Sequence, residues 1–238
     1  MFFKKKSVPS VKNAGVIVAA GSGTRMGTDL PKQFLDVFGM PVIVHTLKKF
    51  NSCNSIHEIV IVTKEEFIPL CHSLVETYDL NKVVSIVVGG KTRQISVCNG
   101  INSVSDDVEN VFIHDAARPL VSVETIEKCA SVLSNENACA VGVPMKDTIK
   151  YSSDGRYIQK TVDRSLLWQI QTPQCFKKHL ALQLHKRALD DGFEATDDCM
   201  IFEHYGENIA IVEGEYENIK ITSPQDIFVM KGILGDKI

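Results

Sequence analysis

Gly15-Val16-Ile17-Val18-Ala19-Ala20-Gly21-Ser22-Gly23-Thr24-Arg25-Met26-Gly27 joins a short β-branched run directly to a glycine-rich loop. That is how a buried strand hands over to a ligand-binding turn in an α/β protein. Comparable runs recur at Glu58 to Thr63, Val83 to Val88, Asn110 to His114 and Ala138 to Pro144. Between them, Pro41 to Phe50, Lys64 to Tyr78, Thr92 to Ser103 and Val123 to Leu133 carry apolar residues every three or four positions, as amphipathic helices do. The alternation predicts an α/β fold, a three-layer sandwich with a mainly parallel, twisted sheet.

The rhythm breaks over residues 145–172. Thr148-Ile149-Lys150-Tyr151, the turn Ser152-Ser153-Asp154-Gly155 and Tyr157 to Val162 read there as a β-hairpin with no helix to cover it. A lone ribbon is marginal in water, so this arm is expected to protrude and to pack on a second subunit. Trp168 and Gln171-Thr172-Pro173-Gln174 read equally as core and turn or as ligand contacts. The chain then predicts a helix from Lys177 to Asp191, a helix start at Thr196-Asp197-Asp198, strands at Ile209 to Val212 and Asn218 to Thr222, and a last helix capped by Ser223-Pro224. Residues 1–12 form a basic leader, expected to be mobile, and residues 13–238 a single domain.

At 238 residues, with 44% hydrophobic and 23% charged residues, the chain is neither collagen-like nor disordered and has ample material for a core. Its net charge of -3 argues against a protein that coats nucleic acid, leaving room only for a local basic pocket. The seven cysteines are odd in number and form no Cys-x-x-Cys pair, which fits neither a disulfide framework nor a zinc ribbon. They read as buried, reduced thiols of a cytoplasmic protein. Lys4-Lys5-Lys6 ahead of Val16 to Ala20 has the charge order of a signal peptide. That apolar run is too short to cross a bilayer, and no other stretch approaches the ~20 residues a spanning helix needs.

In the first loop, glycines let backbone N–H groups approach phosphate oxygens, while Arg25 and Lys32 of Pro31-Lys32-Gln33 supply positive charge. A dinucleotide fingerprint would need glycine where Met26 stands. A P-loop ending at Gly90-Lys91-Thr92 would need glycine at Ser85. His114-Asp115-Ala116-Ala117-Arg118-Pro119 follows another predicted strand, which brings Asp115 and Arg118 to the carboxyl edge of the sheet beside that loop. An acid there can hold a divalent cation and an arginine an anion; the plainer alternative is a capping Asp paired to the Arg. Gly89-Gly90-Lys91-Thr92-Arg93-Gln94-Ile95-Ser96 opens a helix, a place for an anion or a base edge, or simply a common helix start. Lys220, in a β-branched run, reads by itself as a solvated face.

In their order and spacing these blocks, with Thr161-Val162-Asp163-Arg164, Gln171-Thr172-Pro173-Gln174, Thr196-Asp197-Asp198 and Asn218 to Thr222, resemble the 2-C-methyl-D-erythritol 4-phosphate cytidylyltransferases from about residue 14 onward. The resemblance implies a Rossmann-like nucleotidyltransferase of non-mevalonate isoprenoid synthesis that joins CTP to a sugar-alcohol phosphate and releases pyrophosphate, with Mg2+ and as a homodimer. It implies Arg25 and Lys32 as catalytic cations, and Ala19, Ala20, Gly21 and Gly23 around the CTP phosphates. Gly89, Gly90, Arg93 and Ser96 would contact the cytosine and ribose. Asp115, Arg118, Thr148, Arg164, Thr196 and Lys220 would form the methylerythritol phosphate pocket, with Asp115 near the metal and Thr148 and Arg164 serving the partner's site through the arm. The ribitol 5-phosphate cytidylyltransferases resemble most blocks, but carry Ala-Gly-Gly in the first loop, Val in place of Ala117, and no Thr-Val-Asp-Arg. A nucleotide-binding module without catalysis would keep the glycines and need neither Arg25 nor Lys32.

Overall fold

Side chains alternate across a strand, so a strand apolar on both faces must be covered on both. In a computed structural model describing residues 11–21 and 30–235, the runs form β1 (Asn13–Val18), β4 (Glu58–Thr63), β5 (Val83–Val88), β6 (Asn110–Asp115) and β7 (Ala138–Pro144); all but β5 are buried along nearly their whole length, while β5, at the sheet's edge, leaves Val84 and Val88 exposed. Between and after them lie α1 (Val42–Ser52), α2 (Ile68–Thr77), α3 (Arg93–Asn102) and α4 (Val123–Val132). A small ribbon, β2 (Asp36–Val37) with β3 (Met40–Pro41), precedes α1. The arm is β8 (Ile149–Tyr151) with β9 (Lys160–Val162), and the chain ends through β10 (Trp168–Lys177), α5 (Lys178–Asp190), α6 (Asp198–His204), β11 (Ala210–Glu213) and α7 (Pro224–Gly235).

The main sheet has the order β11-β7-β10-β6-β1-β4-β5, and only β10 runs antiparallel to its neighbours. Ile17, Ile59, Ile61 and Phe112 point to one face, where Phe50, Leu74 and Ile126 bring α1, α2 and α4 against them. Val16, Val60, Val62 and Ile113 point to the other, under Val97 of α3, Leu184 of α5 and Phe202 of α6. This is the three-layer sandwich its alternating pattern predicts. A third cluster, with Val37, Val42, Ile221 and Met230, docks α7. There Asp226 accepts the Ser223 N–H at 2.8 Å, the reciprocal half of a capping box.

Two readings of the sequence need correction. Residues 168–177 form a ten-residue central strand rather than only core and turn. Its register breaks between Ile170 and Gln174, around Pro173, which has no N–H to give a ladder. Asn218 to Thr222 is not a strand: the segment crosses the carboxyl edge of the sheet, and Ile221 N–H reaches the Ala117 carbonyl at 2.8 Å. Of the leader, residues 1–10 lie outside the described part, while Lys12 bonds Asp107 and its carbonyl accepts from Glu109 N–H at 2.9 Å.

Candidate active site

From β1 the chain proceeds through β4 to β5 on one side and then returns to place β6 on the other. The loops leaving β1 and β6 therefore diverge, opening a crevice at a topological switch point. A cleft of about 530 Å³ fills it, lined by Ala19, Ala20, Gly21, Lys32, Gly89, Gly90, Arg93, Ser96, Asp115 and Lys220 among others. Of the residues singled out in the first loop, Gly23 and Arg25 lie outside the described residues.

The glycines have steric reasons. A Cβ on Gly89 would stand 2.6 Å from the Ala20 Cβ, and one on Gly90 would stand 2.1 Å from Ile95 Cγ2. Only glycine lets the second loop approach the first at position 89 and fold onto the start of α3 at position 90. The Ser96 hydroxyl is occupied with the loop itself: it accepts the Gly90 N–H at 3.0 Å and donates to the Thr92 carbonyl at 2.9 Å. Thr92 caps α3, accepting the Ile95 N–H at 3.2 Å, so the positive end of that helix faces the cleft. Gln33 shapes the first loop, its amide donating to the carbonyls of Ala19 at 2.5 Å and Gly21 at 3.1 Å.

Asp115, at the end of β6, is the only carboxylate among the described residues lining the cleft. Lys220 Nζ lies 2.8 Å from it, Arg118 Nε 3.6 Å and Arg93 Nε 3.8 Å. Burial alone would raise its pKa, but Lys220, Arg93 and Arg118 together hold it at about 2. Arg93 is gripped on its other side by Asp198, at 2.7 Å, a carboxylate only 1% exposed. Although burial disfavours its charge, Asp198 and Asp115 raise the Arg93 pKa. Two carboxylates, Asp115 and Asp198, thus hold three cations, and Arg93 and Lys220 of these line the cleft.

A buried polar frame supports this cluster. The Thr172 hydroxyl accepts the Asp115 N–H at 3.2 Å and lies 2.9 Å from His114 Nδ1, while His114 Nε2 lies 3.1 Å from the Arg118 carbonyl. A carbonyl can only accept, so Nε2 carries the proton and Nδ1 receives the Thr172 hydroxyl. That requires a neutral imidazole, consistent with burial lowering the His114 pKa to about 4. The Arg118 guanidinium donates to the Asn218 carbonyl at 2.8 Å, and the Asn218 amide to the Thr172 carbonyl at 2.9 Å. Gln174 joins β10 to α6, donating to Asp197 at 2.8 Å and accepting the Asp198 N–H at 2.9 Å.

The structure thus assembles ten of the named residues along one cleft, with Arg118 behind Asp115. Thr148 and Arg164 stand exposed on the arm, where Arg164 donates to the Lys146 carbonyl at 2.5 Å, and neither lines the cleft of its own chain. Thr196 is exposed beside the α6 cap and also lies outside the lining. Reading the sequence missed Asp198, Thr172 and Gln174 as supports, and Lys64 and Lys91 as further cations of the lining. One signal for Asp198 was present. Asp197 serves as N-cap, accepting the Met200 N–H at 2.9 Å, which leaves the second acid of the pair free for another partner.

Residues 14–236 match the family described as 2-C-methyl-D-erythritol 4-phosphate cytidylyltransferase. The chain belongs to that family. A relative bearing that name in Clostridium novyi is 46% identical over 224 residues, covering 94% of this chain and 96% of its own. Another, in Caldanaerobacter subterraneus, is 46% identical over 217 residues, or 91% of this chain and 96% of its own. The crystal structure of 4-diphosphocytidyl-2C-methyl-D-erythritol synthase from Anaerococcus prevotii superposes with a TM-score of 0.85 at 32% identity, over 95% of this chain and 97% of that one. That of the cytidylyltransferase from Thermus thermophilus gives 0.76 at 29% identity, over 92% and 98%. The fold expected from the alternating runs is therefore also the fold of the family.

Proposed function

We infer that the protein transfers the cytidylyl group of CTP to 2-C-methyl-D-erythritol 4-phosphate, giving 4-diphosphocytidyl-2-C-methyl-D-erythritol and pyrophosphate in isoprenoid precursor synthesis. Besides family membership, one observation carries the reading: Lys220 and Arg93 meet at Asp115, with Arg118 behind it, in the same cleft that two glycine loops and Lys32 line. A site where two phosphate-bearing reactants meet needs such a convergence of cations. The acceptor's phosphate oxygen attacks the α-phosphorus of CTP in line, and the bond to the β-phosphate oxygen breaks, releasing pyrophosphate.

We assign Lys32 and Arg25 to the charge that develops on the α-phosphate and the leaving pyrophosphate, with the Ala19 to Gly23 loop around the triphosphate. Gly89, Gly90, Arg93 and Ser96 serve the cytosine and ribose, the loop being kept in shape by Ser96. We assign Asp115, Arg118, Thr196 and Lys220 to the acceptor, Asp115 and Lys220 from the cleft lining and Arg118 and Thr196 from outside it, with the cation-held carboxylate accepting hydroxyls of the polyol. A hard cation held by one carboxylate and substrate phosphates suits Asp115, which stays ionised at neutral pH. Mg2+ bound there would neutralise triphosphate charge.

The arm supports a homodimer with arm exchange. It exposes Tyr157 at 75% and Leu166 at 78%, side chains suited to burial against a second copy. Arg164 and Thr148 then reach the acceptor phosphate of the neighbouring site. We place the enzyme in the cytoplasm, as seven unpaired cysteines suggest; no described helix is long and apolar enough to cross a membrane.

Pyrophosphate release, measured with Mg2+ across CTP, UTP and ATP and across polyol phosphates, tests the reading. Turnover is expected with CTP and methylerythritol phosphate together, and far less with any other pair. Equal or faster turnover of ribitol phosphate would replace the substrate, and binding without turnover would reduce the protein to a nucleotide-binding module.

A further inference from the structure

Outside the cleft, three sulfur atoms meet in the core. Cys129 comes from α4, Cys139 from β7 and Cys175 from β10, and their sulfurs all lie within 4.8 Å of one another. Register places two of them: Cys139 and Cys175 are directly opposed in the antiparallel ladder, so their side chains stand together on one face. The third descends from the helix above, and the Cys139 thiol donates to the Cys129 carbonyl at 3.8 Å. All three are free thiols at 0% exposure, among apolar neighbours of the α4 face that include Ile126, Leu133 and Val141.

We propose that Cys129, Cys139 and Cys175 form a three-thiol site for a soft trivalent ion of the arsenic(III) class. Sulfur donors select thiophilic ions over the hard cations of the cleft. The fourth ligand that a structural zinc wants is missing, since the group contains only these three among the described residues. Charge decides among the remaining ions. An apolar core rejects a complex with net charge, and three thiolates neutralise a trivalent ion, whereas a divalent or monovalent ion held by all three as thiolates would leave negative charge buried. The binding step balances without an oxidant or reductant: arsenous acid exchanges three As–O bonds for three As–S bonds, each thiol proton leaves with a hydroxide as water, and arsenic remains trivalent. Entry requires α4 to lift from the sheet, so uptake by the folded chain is slow and refolding in the presence of the ion is fast.

The test uses the full chain, reduced with a phosphine so that no added thiol competes. One sample is incubated folded with sodium arsenite and another is refolded from urea with it. Native mass spectrometry is expected to find one arsenic less three hydrogens added per chain, X-ray absorption to find three sulfur neighbours, and the unfolding midpoint to rise with arsenite concentration. Cys129→Ala, Cys139→Ala and Cys175→Ala each lose the three-sulfur signature, whereas Cys98→Ser, at a half-buried thiol outside the group, keeps it. Should a core variant fail to fold, the wild-type absorption spectrum still decides. No arsenic in the refolded wild-type chain, coordination by two sulfurs only, or unchanged uptake by folded Cys139→Ala would each overturn the proposal.

Discussion

Asp198→Asn removes one charge while preserving side-chain shape, and the α6 start survives because its backbone N–H still donates to Gln174. What it takes away is the 2.7 Å partner of Arg93, in a pair whose side chains are 28% and 1% exposed. Removing one partner of a buried ion pair costs ~3–5 kcal/mol. Arg93 keeps Asp115 at 3.8 Å and some contact with water, so the loss falls below that range, at about 2–3 kcal/mol. Urea unfolding reads it as a lower midpoint at unchanged slope. Because Arg93 is assigned to the nucleotide, the loosened guanidinium also weakens CTP binding. If about 1.4 kcal/mol of the loss falls there, KM for CTP rises about tenfold, with kcat less affected. Stability within ~0.5 kcal/mol of wild type, together with an unchanged KM, would refute the idea that Asp198 holds Arg93 in place.

Three further outcomes follow from the same geometry. Asp115 is depressed to about 2 in the folded chain from an ordinary 3.8, so its contribution, on the order of 2 kcal/mol, is complete above about pH 4 and lost as pH falls toward 2; Asp115→Asn should remove that acid-side slope in unfolding measured against pH. Gly100→Ala should destabilise by ~1–3 kcal/mol despite the better helix propensity of alanine, because the new Cβ would stand 2.5 Å from Val16 Cγ1 and 2.7 Å from Val62 Cγ2; a stabilised variant in urea would show that α3 does not sit so close to the sheet. Mixing inactive Arg164→Ala and Lys32→Ala subunits should restore about a quarter of the activity per total site, since a hybrid dimer with exchanged arms gathers both lesions in one site; no recovery in hybrids verified by mass would return Arg164 to its own subunit's site.

The parallel strands were legible as continuous runs, which burial on both faces forces in β4 and β7 and which the edge strand β5 keeps although Val84 and Val88 are exposed; all three begin and end where the runs do. β10 was hidden for the opposite reason. Its residues Gln171, Thr172 and Gln174 are polar because they brace loops, the site and the α6 start, and Pro173 interrupts the ladder, so neither period survives in the sequence. Residues 218–222 misled in the other direction: Ile221 is β-branched and fully buried, but it packs under α7 at the sheet's edge rather than in a ladder. At the site, the glycine loops, Asp115 and Lys32 announce themselves by position after strands. The Arg93–Asp198 pair spans two distant segments, and no local pattern encodes it. Lys220 reads alone as a solvated lysine, and only the edge-crossing path of its segment brings the ammonium to Asp115.

The most direct measurement follows the phosphorus atoms themselves. In 31P NMR of the full chain with Mg2+, CTP and 2-C-methyl-D-erythritol 4-phosphate, the monoester resonance and the CTP signals should decline together, while a diphosphate diester and pyrophosphate grow in equal amounts. Loss of CTP signals with the monoester untouched, or formation of the diester from ribitol phosphate in preference, would contradict the assignment of this cleft to cytidylyl transfer onto methylerythritol phosphate.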